Sequence, residues 1–172
     1  RTGGVGLIVL IGFMGAGKTT VGRLLAEHLG LPFVDSDAVI EASEGLAVRE
    51  IFDTRGEAGF RTIEAATIRG LLDGPDAVLA LGGGALTTPE VQAALDGHEV
   101  VLLDVAFDEA LERVAADPGR PMLHKPNLSG LYEGRQGDYR EVATTTVPVS
   151  GRSPREVVAD VLAAVGDVGV GE

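Results

Sequence analysis

The chain contains no cysteine, which removes disulfide frameworks, thiol nucleophiles and Cys-based zinc sites from consideration. Its three histidines, His28, His98 and His124, are scattered, none at metal-ligand spacing from another, and a structural role is the default for each. Lysine is scarce: 12 of the 14 basic residues are Arg, and Lys18 and Lys125 are the whole lysine complement. Positive charge is short overall. Fourteen Lys and Arg face 26 Asp and Glu, for a formal net charge of −12, so the body of the molecule repels nucleic acid and anionic membrane. Neither is expected as a partner, and an anionic ligand must meet a local cationic cluster. Long hydrophobic runs are missing too. Residues 2–17 carry no charge, yet six of these sixteen are Gly, and the run falls short of the about 20 apolar residues a membrane span requires. It reads as a buried strand entering a glycine loop, with the cytoplasm as the expected location. At 172 residues and 45% apolar content, the chain suits one domain over 1–172.

Within it, short apolar runs alternate with helical patterns. Leu7–Ile11, Phe33–Val34, Ala77–Leu81, Val100–Leu103 and Thr146–Val149 read as strands. The first, third and fourth lack polar alternation, as in a parallel sheet covered on both faces. Thr88-Pro89-Glu90 and Ser153-Pro154-Arg155-Glu156 look like helix starts, the second with a capping-box Glu. Arg23 to Leu29 predicts a helix ended by Gly30, and Ile63 to Leu71 another. Residues 117–131 hold three Pro and two Gly, resist a regular reading, and are expected to form a mobile lid. The sum is an α/β fold with a doubly wound sheet.

Gly12-Phe13-Met14-Gly15-Ala16-Gly17-Lys18-Thr19 fits G-x-x-x-x-G-K-[ST] between an expected strand and an expected helix. Glycines let successive N–H groups face phosphates, Lys18 can reach the β/γ oxygens, and Thr19 offers a hydroxyl to Mg²⁺ at a helix N-terminus that favours anions. A glycine turn with an incidental Lys would not need that context. The Asn-Lys-x-Asp guanine reader is absent, since Lys125 is flanked by His124 and Pro126. Asp104, ending the fourth strand, imitates a Walker B carboxylate but is read as structural. Asp35-Ser36-Asp37 follows the second strand, at the edge where open α/β sheets bind ligands. One carboxylate can hold Mg²⁺ through water while the other orients an acceptor hydroxyl; the alternative is a helix cap with a solvated neighbour. Gly82-Gly83-Gly84 sacrifices local stability, which a ligand approaching the backbone closely would explain. Arg61, Arg120 and Arg135 fall near the expected ligand edge, suited to a carboxylate or a transferring phosphoryl group.

Together these motifs resemble shikimate kinase from about Leu7 to Leu162. Gly12–Thr19 with Thr20–Ala26 is similar to the family's opening, and Asp35-Ser36-Asp37 to its D-[ST]-D. Ile51-Phe52 to Glu64 resembles the acceptor-binding segment (about 36–64), and Gly82–Gly84 the glycine triplet. Arg120-Pro121-Met122-Leu123 resembles the lid's Arg-Pro-Leu-Leu, and Arg135 to Ala143 the R-x-x-x-Y-x-x-x-A element. The resemblance implies a three-layer P-loop fold with five parallel strands, and transfer of the ATP γ-phosphoryl to the 3-hydroxyl of shikimate, serving chorismate and aromatic amino acid synthesis. By position it implies catalytic roles for Asp37, Lys18 and Arg120, and nucleotide contacts from Gly15, Ala16, Gly17, Lys18, Thr19, Thr20 and Arg120. Thr19 and Asp35 would hold Mg²⁺. Asp37, Arg61, Gly83, Gly84 and Arg135 would bind shikimate, with Phe52 and Phe60 as walls. A monomer is implied. The stretch Ala115–Gly119 lacks the Arg that many relatives place before the lid to stack on adenine, leaving Arg113 the nearest basic residue upstream. The lid also looks shorter than in many relatives, and Gly137-Asp138 replaces the Pro often seen before Tyr139. Two rivals remain: a gluconate or other small-molecule kinase on the same fold, and a catalytically silent nucleotide-binding module.

Overall fold

A computed structural model describes residues 6–115 and 128–165. Five strands form one sheet: β1 (Ile8–Ile11), β2 (Phe33–Asp35), β3 (Val78–Ala80), β4 (Glu99–Asp104) and β5 (Thr145–Pro148). Their order is β2-β3-β1-β4-β5, all parallel, with Leu10 between Ala80 and Val101 in register. Every expected strand is present, its ends shifted by a residue or two. β1 and β3 are buried throughout and β4 at its four central residues, because helices lie against both faces of the sheet.

The helices are α1 (Lys18–Leu29), α2 (Ser36–Glu44), α3 (Val48–Leu72), α4 (Pro89–Ala94), α5 (Phe107–Ala115), α6 (Leu128–Val142) and α7 (Pro154–Val165), with a 3₁₀ turn at Ala85–Thr87. α1 stops as its sequence predicts: Gly30 turns left-handed (φ 70°) and its N–H donates to the Ala26 and Glu27 carbonyls. The α7 capping box forms reciprocally, Ser153 N–H to Glu156 at 2.8 Å and Glu156 N–H to Ser153 Oγ at 3.2 Å. At α4 the expectation holds only for the backbone. Thr88 is extended and Pro89 opens the helix, its missing N–H leaving one orphan donor fewer, but the Thr88 hydroxyl makes no capping bond. The irregular segment expected over 117–131 is also too long, because Leu128 to Leu131 form the first turn of α6. Residues 117–127, with Arg120, lie outside the described residues.

Two hydrophobic clusters hold the chain. The larger wraps both faces of the sheet, from Ile8, Val9 and Leu10 to Val161. The smaller comprises Ile40, Ile51 and Phe60, joined by Leu46, Val48, Phe52 and Ile63, and welds α2 to α3 over Val48 to Ile63. α3 is not one rod. At Gly56 the backbone takes φ 72°, ψ 174°, a conformation that L side chains avoid. The stretch beyond this break carries Arg61 and Glu64 toward the carboxyl edge of the sheet.

Candidate active site

The turn between β1 and α1 must be glycine for steric reasons. Gly15 and Gly17 have φ of 83° and 89°, and a Cβ on Gly15 would lie 2.7 Å from the Ala110 carbonyl oxygen. The Gly17 carbonyl accepts from Val21 N–H at 2.9 Å and starts α1, so the helix opens on the loop with its first amide groups toward a cavity of about 370 Å³. Gly15, Gly17, Lys18, Thr19 and Thr20 all line this cavity. Lys18 folds back over its own loop, Nζ donating to the Gly12 carbonyl at 2.5 Å and to Phe13 at 3.4 Å. Ala16 is 1% exposed and does not line this cavity; it packs in the core and borders a second one.

Asp35 and Asp37 line the opposite wall. Asp35 caps α2, its Oδ1 accepting from Asp37 N–H at 2.8 Å and Ala38 N–H at 3.4 Å. Capping and cavity-lining are therefore compatible roles for this one carboxylate. Ser36 is fully buried, and its Oγ accepts from Gly82 N–H at 3.3 Å. Asp37 turns toward the glycine triplet, where a Cβ on Gly82 would sit 2.9 Å from its Oδ1. That oxygen is buried without a hydrogen-bond partner. Burial, then the neighbouring Asp35 and Glu64 carboxylates, raise the Asp37 pKa to about 6, with Lys18 opposing them.

The triplet leaves no room for side chains because charged groups crowd it. A Cβ on Gly83 would lie 3.3 Å from Arg135 Nη1; one on Gly84 would lie 2.9 Å from Arg135 Nη2 and nearer still to Arg61 Nη2. The expected close approach to the glycines is thus made, in the first instance, by the candidate ligand-binding side chains themselves. Arg61 comes from α3 and Arg135 from α6, brought together on one side of the loop, while Asp37 lies at its other end. Arg61 rests over the stacked rings of Phe52 and Phe60, 5.7 and 5.3 Å from their centroids. Phe60 is buried in the smaller cluster and Phe52 is half-buried.

Glu64 is a residue the sequence reading passed over. It is 1% exposed and accepts from Arg61 Nη1 at 2.8 Å, which fixes the guanidinium plane, while Glu57 at 3.4 Å is an exposed second partner. Burial raises the Glu64 pKa and Arg61 holds it down. Burial likewise lowers the Arg135 pKa. The buried Glu64 carboxylate, paired with Arg61 and felt by Arg135, offsets the repulsion between the two guanidiniums.

The second cavity, about 300 Å³, adjoins the first across Gly17, Thr20 and Arg113, and is closed by Val149, Arg152 and Pro154. Arg113 borders both, donating to the Gly15 carbonyl at 2.9 Å and pairing with Glu109 at 2.5 Å. The basic residue whose role the sequence left open therefore stands beside the phosphate loop. Asp104 lines neither cavity and lies 3.9 Å from exposed Arg140, consistent with a structural residue. Among the described residues no group of three acidic or His side chains forms a metal cage. Thr19 and Asp35, both lining the phosphate-side cavity, are the donor set such a site offers an oxygen-loving cation whose other ligands are phosphate and water. No described helix is long and apolar enough to cross a membrane.

A family model described as shikimate kinase matches residues 14–166. A shikimate kinase of Salinispora tropica is 47% identical over 90% of this chain and 95% of its own length, and one from Streptomyces coelicolor is 44% identical over 92% and 95%. A solved shikimate kinase from Acinetobacter baumannii, in complex with shikimate, superposes with a TM-score of 0.86 at 40% identity, covering 91% of this chain and 90% of that one. A gluconokinase from Sinorhizobium meliloti superposes less well, with a TM-score of 0.62 at 22% identity over 98% and 95%, a likeness of fold alone.

Proposed function

The chain is a member of the shikimate kinase family, and from that premise we propose how its residues divide the transfer of the ATP γ-phosphoryl group to the 3-hydroxyl of shikimate. The carrying observation is the polarity of the glycine triplet: a partnerless carboxylate oxygen of Asp37 at one end, two guanidiniums at the other. Shikimate has the matching polarity, a ring with a carboxylate on one side and hydroxyls on the other. Arg61 and Arg135 receive the carboxylate, Gly83 and Gly84 lie along the ring, and Phe52 and Phe60 support the Arg61 side. The hydroxyls then fall toward Asp37.

Asp37 accepts the proton of the 3-hydroxyl as the new O–P bond forms and the bond to ADP breaks. With a pKa of about 6 it is ionised at neutral pH yet basic enough to take a proton. kcat/KM for shikimate is therefore expected to fall as pH drops through about 6, when the carboxylate protonates. A flat profile from pH 5 to 8 would remove Asp37 as the base. Lys18, released from its loop carbonyls, neutralises the β/γ oxygens, and the amides of Gly15, Gly17 and Thr20 cradle the phosphates beside Ala16. Thr19 and Asp35 would hold Mg²⁺, which supplies charge neutralisation across the phosphates when bound. Arg120, by its resemblance alone, closes over the transferring group. Arg113 and the second cavity continue the phosphate site in the direction a nucleoside would extend. A monomer working in the cytoplasm is proposed with it, on the resemblance alone.

ADP release from Mg-ATP, measured with shikimate, gluconate, a nucleoside monophosphate or no acceptor, tests the reading. Turnover with shikimate alone is expected. Turnover with gluconate instead would overturn the assignment of Arg61, Arg135 and the triplet, and nucleotide binding without turnover would favour a silent module. Arg61→Lys should raise the shikimate KM about tenfold or more with little change for ATP, because an ammonium cannot form the bidentate pair. An unchanged shikimate KM would reject that contact.

A further inference from the structure

Among the described residues Tyr139 is the largest fully buried side chain, 1% exposed, and nothing in the phosphoryl transfer described above uses it. Its hydroxyl donates to the Gly83 carbonyl at 2.7 Å. It sits on α6 one turn beyond Arg135, whose guanidinium lies beside it. The rest of the triplet is also held. Gly82 donates to Ser36 Oγ and its carbonyl accepts from Ala85 N–H at 3.1 Å, while the Gly84 carbonyl accepts from Thr87 N–H at 3.1 Å and Thr87 Oγ1 at 2.7 Å. All three carbonyls are thus taken. The Gly83 and Gly84 N–H groups have no acceptor among the described residues.

From this arrangement we infer that Tyr139 is a positioning residue: by holding the Gly83 carbonyl, it fixes the Gly83–Gly84 peptide so that the Gly84 N–H is presented to the acceptor's carboxylate between Arg61 and Arg135. The peptide is planar and trans, so its C=O and N–H point in opposite directions. Orienting the carbonyl toward buried Tyr139 turns the amide hydrogen the other way. Two consecutive glycines place no steric bar on rotation of the peptide between them. A flipped peptide would aim a carbonyl oxygen at the bound carboxylate and repel it. Among the described residues the Tyr139 hydroxyl is the side-chain donor to the Gly83 carbonyl that opposes that flip. The inference rests on the shikimate reading, since it needs an acceptor anion at this end of the pocket.

Tyr139→Phe keeps the ring and its packing and removes the hydroxyl, which donates to Gly83 and also faces the Arg135 guanidinium, so the Gly84 amide must be read beside it. Its shikimate KM should rise about five- to tenfold, the binding-competent peptide orientation being less populated, while the ATP KM and kcat stay within about twofold. Tyr132→Phe is the control. It removes a similar bond from the same helix, Tyr132 hydroxyl to the Val105 carbonyl at 2.6 Å, away from the triplet, and should cost comparable thermal stability without moving the shikimate KM. ¹⁵N-glycine labelling of the wild type gives a reading independent of any variant: the Gly84 amide resonance should shift as shikimate saturates. A Tyr139→Phe KM within twofold of wild type, an equal rise for ATP or in Tyr132→Phe, or an unmoved Gly84 amide would each overturn the inference while the wild type still phosphorylates shikimate. A wild type that ignores shikimate overturns the underlying reading and this inference with it.

Discussion

Asp37→Asn should lower kcat by about 10²- to 10⁴-fold, the range lost with a general base, and leave the ATP KM nearly unchanged. The amide has the carboxylate's shape and cannot take the acceptor's proton. The same substitution should stabilise the ligand-free enzyme. Asp37 titrates at about 6 in the fold against an ordinary 3.8, so the folded state binds this proton more tightly than the unfolded chain. Between those values stability falls as pH rises. Above pH 6 the buried anion costs the fold on the order of 2–3 kcal/mol. The variant, neutral at every pH, should therefore melt above the wild type at pH 8 and lose most of that advantage by pH 4. Thermal melts at both pH values, beside ADP-release kinetics, read both effects. Near-native turnover would remove Asp37 from the chemistry, and a lower melting temperature at pH 8 would show that its charge is compensated in the free enzyme.

Gly84→Ala should raise the shikimate KM by roughly 10²-fold, the scale on which a displacement of about 1 Å is felt at a reacting site. The backbone there, φ −100° and ψ 7°, suits alanine, so the fold should survive, with a modest fall in melting temperature from the displaced arginines. What cannot survive is the position of the guanidiniums. The new methyl would press on Arg61 Nη2 and lie 2.9 Å from Arg135 Nη2, and Glu64, buried behind Arg61, leaves that side chain little retreat. The ATP KM should not move, because the phosphate loop is across the cavity. Titration of shikimate into the variant by calorimetry, with a melt as control, decides the matter; wild-type affinity would mean that the two arginines do not hold the acceptor where they now lie.

These predictions were partly legible in the sequence. The phosphate loop could be read residue by residue because its chemistry is local: the glycines, Lys18 and Thr19 act where they stand, and flanking patterns identify the strand and helix. The sheet was legible for the same reason, since continuous apolar runs have one comfortable place in an α/β fold. Glu64 was not, because on α3 it reads as one more charged helix residue; its burial is a property of the folded packing that no local pattern marks. The cavity beside Arg113 was missed because its walls come from α1, α5, the segment after β5 and α7, which no spacing rule connects. The start of α6 was obscured by the prolines just before it. Tyr139 could be seen within a motif, but its bond to the Gly83 carbonyl joins residues 56 apart.

The smaller hydrophobic cluster gives the acceptor side its own account of stability. Ile40, Ile51 and Phe60 form a cluster apart from the one on the sheet, and two left-handed glycines inside it, Gly45 and Gly56, let α2 and the two stretches of α3 fold back on one another. Amides of α2 and the first part of α3 should thus exchange with solvent as one cooperative block, at a lower free energy than β1 or β4. Mutational drift within that block is correspondingly insulated from the half that binds nucleotide, so that acceptor preference can be rebuilt there without refounding the rest of the molecule.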